Sequence, residues 1–142
     1  MIFLRVPGTL QYRAVALRVV SAACSLAARD RKPTPDQPFD DELISAFGEA
    51  FNNIAIHGYR GVPVREIEVE IEAAEDAIII RMADWGRSFD FDEAPEPELV
   101  EPEEGGFGVY IIKAFTDEVS YKPGSPNVMT LTKRMPDRWL PE

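Results

Sequence analysis

The sequence is poor in cysteine, in basic side chains and in long apolar runs, and each shortage removes a class of protein. Cys24 is the only cysteine among 142 residues, so no internal disulfide can form. It lies in the helical-looking stretch Ala22-Ala23-Cys24-Ser25-Leu26 and reads as a small buried apolar residue suited to a reducing compartment. Lys and Arg number 15 against 25 Asp and Glu, a formal charge of −10. A field of that sign opposes phosphate-gripping as the main work, which excludes a dedicated nucleic-acid binder and leaves a protein or a metal-bridged nucleotide as the expected ligand. No apolar run approaches the ~20 residues of a membrane span, and Met1-Ile-Phe-Leu-Arg-Val-Pro7 lacks the pattern of a signal peptide. The expectation is a cytoplasmic protein with no membrane contact, folded as one domain over 1–142.

What is present has a readable order. Residues 2–6 form a short expected strand ended by Pro7-Gly8. From Leu10 to about Arg29 the apolar positions Leu10, Ala14, Leu17, Val20 and Ala27 recur at helical spacing, which predicts a first helix. Asp30 to Pro38 is a proline-rich connector, after which Asp40-Asp41-Glu42 opens a second helix running to His57, with Gly58 as its stop. Val64 to Ala73 alternates polar and apolar residues, the signature of a strand with one wet face, and Ala77 to Ala83 is apolar enough to be an interior strand. Residues 90–104 hold three prolines and eight carboxylates and read as a loop. A helix from the Gly105–Gly108 region to Phe115 and strands over 118–121 and 128–133 complete the chain. Helices and strands do not alternate one for one, so the fold class is α+β: a mainly antiparallel sheet covered by helices on one face.

Three groups of residues carry possible chemistry. On the second helix Glu49 and Asn53 stand one turn apart on the face opposite Leu43, Phe47 and Phe51. Taken alone they are the wet side of an amphipathic helix. As a site, the Asn53 amide oxygen suits a hard cation such as Mg²⁺ on a polyphosphate, and the Glu49 carboxylate suits deprotonation of an attacking hydroxyl. His57 reads as a residue favoured by the helix dipole rather than a ligand. Asp84-Trp-Gly86-Arg-Ser-Phe89 follows the interior strand; it is either a plain turn or a carboxylate placed to accept from an adenine amino group, with Gly86 clearing space for a flat base. Gly105-Gly106-Phe107-Gly108 precedes a helix and either hinges it or aims backbone N–H groups at phosphate. It lacks the Gly-Lys-Ser/Thr ending of a Walker loop and the full dinucleotide fingerprint, which excludes an NAD enzyme.

Together and in this order, Glu49-Ala-Phe-Asn-Asn53-Ile-Ala-Ile-His-Gly-Tyr59, Asp84-Trp-Gly86 and Gly106-Phe-Gly108-Val-Tyr-Ile-Ile-Lys113 resemble the N, G1 and G2 boxes of the GHKL ATPase superfamily. The short length, the Ile-His-Gly-Tyr ending and the strand Thr116-Asp-Glu-Val-Ser-Tyr121 are most similar to the bacterial anti-sigma-factor serine kinases. The resemblance implies a Bergerat-type ATP-binding sandwich with ATP and Mg²⁺ as cofactors. Glu49 would be the general base, Asn53 the metal ligand, Asp84 and Gly86 the adenine contacts, Gly106 and Gly108 the phosphate contacts, and 90–104 the ATP lid. It also implies a homodimer that binds a sigma factor and phosphorylates a serine of an anti-sigma antagonist protein.

Two departures from the family pattern stand out. Relatives often carry an arginine just ahead of the third box, where this chain has Glu103, Glu104 and Gly105; Arg87, Lys113 or a partner's basic residue are the candidates to replace it. Relatives often have Gly-Thr-Thr where this chain has Pro126-Asn127-Val128, so no adenine contact is assigned to that stretch. The alternatives are a catalytically weak or non-catalytic interaction module and, with the same pocket, a hydrolytic ATPase or histidine-kinase domain.

Overall fold

The computed structural model describes residues 1–29, 37–91, 106–137 and 140. Strand β1 (Ile2–Pro7) leads through a tight turn at Leu10–Tyr12 into α1 (Arg13–Arg29), followed by α2 (Gln37–Asn52). Strands β2 (Glu66–Ala73) and β3 (Ala77–Asp84) form a hairpin, and α3 (Gly106–Phe115) precedes a second pair, β4 (Glu118–Lys122) and β5 (Asn127–Arg134). All strand pairings are antiparallel, in the order β1-β2-β3-β5-β4. The expected α+β sheet-and-helix architecture is therefore the one observed, and the apolar strand Ala77–Asp84 occupies its centre.

The strand patterns explain which face is covered. Along β2 the residues Ile67, Val69 and Ile71 are buried while the intervening glutamates are partly open, so the alternation sends one set under the helices and the other to water. The helices complete this core with Val20 and Ala23 of α1 and Leu43, Phe47 and Phe51 of α2, all buried. Cys24 belongs to the same cluster, and burial, aided by the negative Asp40, pushes its thiol up to about 12, which suits an inert packing residue. Lys133 is the buried cation of β5. Its Nζ donates to Glu42 Oε2 at 2.8 Å and to the Phe115 carbonyl at 2.9 Å, joining the start of α2 and the end of α3 to the sheet. A cation at a helix C-terminus meets carbonyls that have no partner within the helix.

One element departs from expectation. The second helix is not regular to His57: α2 ends at Asn52 and the chain continues as a wider turn over Asn53–Gly58. Tyr59 N donates to the Ile54 carbonyl at 3.0 Å, a five-residue step that inserts one residue into the helical path. Pro38, expected in the connector, lies in the first turn of α2, where its missing N–H costs nothing. The segment expected to be the lid lies, from residue 92 onward, outside the described residues.

Candidate functional site

The widened turn at Asn53–Gly58 brings the three sequence groups together. Gly58 is buried beneath the end of β3, and its carbonyl accepts from Arg87 N at 2.6 Å. A Cβ on Gly58 would stand 3.7 Å from the Asn53 carbonyl and 3.7 Å from Asp84 Oδ1, so this one residue touches both the helical group and the strand-end group. Tyr59, also buried, fastens the junction: its hydroxyl donates to the Glu66 carbonyl at 2.7 Å and accepts from Trp85 N at 3.1 Å. Wide turns of this kind recur at functional sites because the extra residue re-aims the chain beyond it.

Gly86 lies so close to this junction that no side chain fits. A Cβ there would meet the Gly58 oxygen at 2.4 Å, and that oxygen is backbone, unable to rotate away. Gly86→Ala is accordingly expected to destabilise the protein by about 1–3 kcal/mol through forced backbone displacement. Urea unfolding checks it, with Gly61→Ala as an unsuitable control because Gly61 has φ +73° and is strained for another reason.

Asp84 is buried, 4% exposed, at the end of β3. Its Oδ1 accepts from Gly86 N at 2.9 Å and from Asn127 Nδ2 at 3.1 Å. Both bonds fall on the same oxygen, which leaves Oδ2 as the acceptor without a partner among the described residues. Burial raises the Asp84 carboxyl above its ordinary range, and the two hydrogen bonds lower it only in part.

The helical group meets the glycine group directly. A Cβ on Gly108, in the first turn of α3, would stand 3.1 Å from Glu49 Oε2 and 3.4 Å from Asn53 Oδ1. The bare glycine thus lets α3 pack closely against one carboxylate and one amide of the helical group. Asn53 is 7% exposed, and its Nδ2 is buried with no hydrogen-bond partner. An orphaned buried amide costs about 1–3 kcal/mol and calls for a missing partner. Gly106 begins α3, whose first turn carries no acidic side chain, so its unpaired N–H groups stay attractive to an anion.

The sequence candidates Glu49, Asn53 and Gly108 are therefore clustered, Asp84 and Gly86 adjoin them through Gly58, and Gly106 begins the helix that carries Gly108. The candidate replacement cations are elsewhere. Arg87 lies by the turn at Gly61, its Nη2 3.4 Å from where a Cβ would be. Lys113 Nζ sits 4.8 Å from the Phe91 ring centre and 3.4 Å from the Phe91 carbonyl. Phe91 in turn packs with Phe89 and Tyr121, the Phe89 and Tyr121 rings 4.5 Å apart. Asn127 has no visible role in the sequence, yet it bonds both Asp84 and Gly86; the strand register, which sets Asp84 opposite Asn127, is the signal that finds it.

The family model of the histidine kinase-like ATPase domain matches residues 7–133. A serine-protein kinase RsbW of Bacillus velezensis is 31% identical over 105 residues, which cover 67% of this chain and 66% of the relative. The chain belongs to the anti-sigma-factor kinase family of histidine kinase-like ATPases. Another RsbW serine-protein kinase, from Oceanobacillus iheyensis, is 30% identical over 124 residues, covering 82% of this chain and 75% of the relative. An anti-sigma F factor of the same organism is 34% identical over 109 residues, covering 72% and 73%. The chain spans just under two thirds of the Bacillus velezensis relative's length. Family membership accords with the antiparallel sheet and with three residue groups meeting at one junction. Among the described residues no helix is long and apolar enough to cross a membrane.

Proposed function

We propose that this family member is an ATP-dependent serine protein kinase that binds a sigma factor and phosphorylates a serine of an anti-sigma antagonist, acting as a cytoplasmic homodimer folded as one ATPase domain. The observation that carries the reading is the close approach of Gly108 to Glu49 and to Asn53, whose buried Nδ2 has no partner. In this reading Asp84 Oδ2 accepts from the adenine amino group, Gly86, packed on the Gly58 backbone rather than opening space for the base as the sequence suggests, holds the turn beside it, and Gly106 and Gly108 offer N–H groups to the phosphates.

The residues present fit a divalent cation carried in by the nucleotide. No group of three His, Cys, Asp or Glu side chains stands ready for a metal among the described residues. Mg²⁺ is commonly bound by one or two protein groups and substrate phosphates, and Asn53 Oδ1 is suited to be such a group. Once bound, the ion would neutralise phosphate charge. Glu49 takes the proton from the serine hydroxyl as its oxygen bonds to the terminal phosphorus; the bond from that phosphorus to the bridging oxygen breaks, and ADP leaves with the electron pair.

A second reading, a binding module with little or no phosphoryl transfer, is favoured by one observation. Of the two candidate replacement cations, Lys113 is engaged at Phe91, and Arg87 Nη2 lies beside Gly61. A positive group at the terminal phosphate is worth roughly 10³–10⁵ in rate in well-studied switches. Incubation with Mg-ATP and the antagonist separates the readings. Phosphoserine on the antagonist is expected; sigma-factor binding with no phosphoserine at any antagonist concentration favours the module.

A further inference from the structure

Asn127 is completely buried, and its amide makes four hydrogen bonds. Nδ2 donates to Asp84 Oδ1 at 3.1 Å and to the Gly86 carbonyl at 2.9 Å. Oδ1 accepts from Gly124 N at 2.9 Å and from the Ser88 hydroxyl at 2.5 Å. The amide's orientation is fixed by two backbone groups of opposite kind, since a carbonyl can only accept and an N–H can only donate. Asn127 therefore holds a donor, never an acceptor, against Asp84.

That has a chemical consequence at the far oxygen of Asp84. With Gly86 N and Asn127 Nδ2 both donating to Oδ1, no proton can reside on Oδ1. Any proton the carboxyl takes must lie on Oδ2, and without one Oδ2 is a pure acceptor. A base offering an amino group at its 6-position matches it; a base offering a 6-carbonyl sets acceptor against acceptor. Sites built around such a bond reject the mismatched ligand because the buried polar group is left unpaired.

We propose that Asn127 is a positioning residue for base selection: by saturating Asp84 Oδ1 and anchoring the Gly86 carbonyl, it presents Oδ2 as a fixed acceptor and so favours 6-amino purine nucleotides over 6-oxo ones. The inference rests on the proposed nucleotide pocket. It assigns Asn127 no contact with the base.

Calorimetric titration with Mg-ATP and with Mg-ITP, whose base carries the 6-carbonyl, tests this. Wild type is expected to prefer ATP by about tenfold or more. In Asn127→Ala the Asp84 carboxylate loses its anchor, so ATP affinity falls while ITP affinity holds or rises, and the ratio moves toward one. Asn127→Asp keeps the shape and covers the case in which the alanine variant does not fold. Its carboxyl faces two acceptors, Asp84 Oδ1 and the Gly86 carbonyl, and must hold a proton to stay. Its ATP-to-ITP ratio is then expected to fall and to vary with pH more steeply than that of wild type. Equal loss of both nucleotides, with the ratio preserved, would mean Asn127 only supports the fold and overturns the inference. A wild-type protein that binds neither nucleotide overturns the pocket itself, a result distinct from a preserved ratio.

Discussion

Glu49→Gln is expected to lower antagonist phosphorylation by roughly 10²–10⁴-fold while leaving Mg-ATP affinity within about twofold of wild type. The substitution keeps length and shape, and the amide still fits against Gly108, where Glu49 Oε2 stands 3.1 Å from the position of a Cβ. What it removes is the ability to take a proton. Single-turnover transfer of labelled phosphate, run beside calorimetry, separates the two quantities. A parallel fall in binding and transfer would place Glu49 in nucleotide recognition instead of catalysis, and unchanged transfer would remove it from the chemistry.

Asp84→Asn should have the opposite profile: binding collapses and the fold survives. Asparagine can keep an acceptor oxygen toward Gly86 N and Asn127 Nδ2, but it then points an NH₂ where the adenine amino group arrives. Two donors face each other, and ATP affinity is expected to fall roughly 10²-fold, toward the upper end of the ~1–3 kcal/mol cost of an unmatched buried polar group. Stability should move the other way or not at all. Burial raises the folded-state pKa of Asp84 above its usual value, so the native protein holds that proton more tightly than the unfolded chain. The associated stability is fully present below the unfolded pKa and is lost as pH rises through the raised folded value. Above that folded value wild type has lost it, whereas the neutral asparagine carries no such penalty. Thermal unfolding above that pKa should show an equal or higher Tm for the variant, with the difference shrinking as the solution is acidified toward the Asp84 pKa. Wild-type ATP affinity should decline in the same acid range, because the added proton converts Oδ2 from acceptor to donor.

The contrast between these residues indicates what the sequence makes legible. The alternation from Glu66 to Glu72 and the apolar run at Ala77–Ala83 are direct consequences of one-sided and central burial, so strand order near the sheet centre can be anticipated from side-chain pattern alone. Glu49 and Asn53 are legible as a pair because helical geometry is local. Their approach to Gly108 is not, since it depends on α2 packing against α3 across more than fifty residues of chain; only the joint occurrence of three motifs suggests it. The wide turn at Asn53–Gly58 leaves no mark in the apolar spacing, because one inserted residue at a helix end preserves the local pattern while shifting the backbone. Asn127 is hidden for a similar reason: its partners Asp84, Gly86 and Ser88 lie about forty positions earlier, and only the register of two non-consecutive strands brings them face to face. Arg87 and Lys113 are candidates for the terminal phosphate by proximity in sequence; that Arg87 Nη2 lies beside Gly61 and Lys113 on Phe91 are tertiary facts.

The central claim is that Asn53, Asp84, Gly86, Gly106 and Gly108 wall one nucleotide pocket. Titrating isotopically labelled protein with Mg-ATP and following amide resonances by NMR tests it most directly. The largest shifts are expected on the Asn53 side-chain NH₂ and on the backbone N–H groups of Gly86, Gly106 and Gly108, saturating together with one affinity. Shifts centred on the opposite, glutamate-rich face of β2, or on those groups at unrelated affinities, would contradict it.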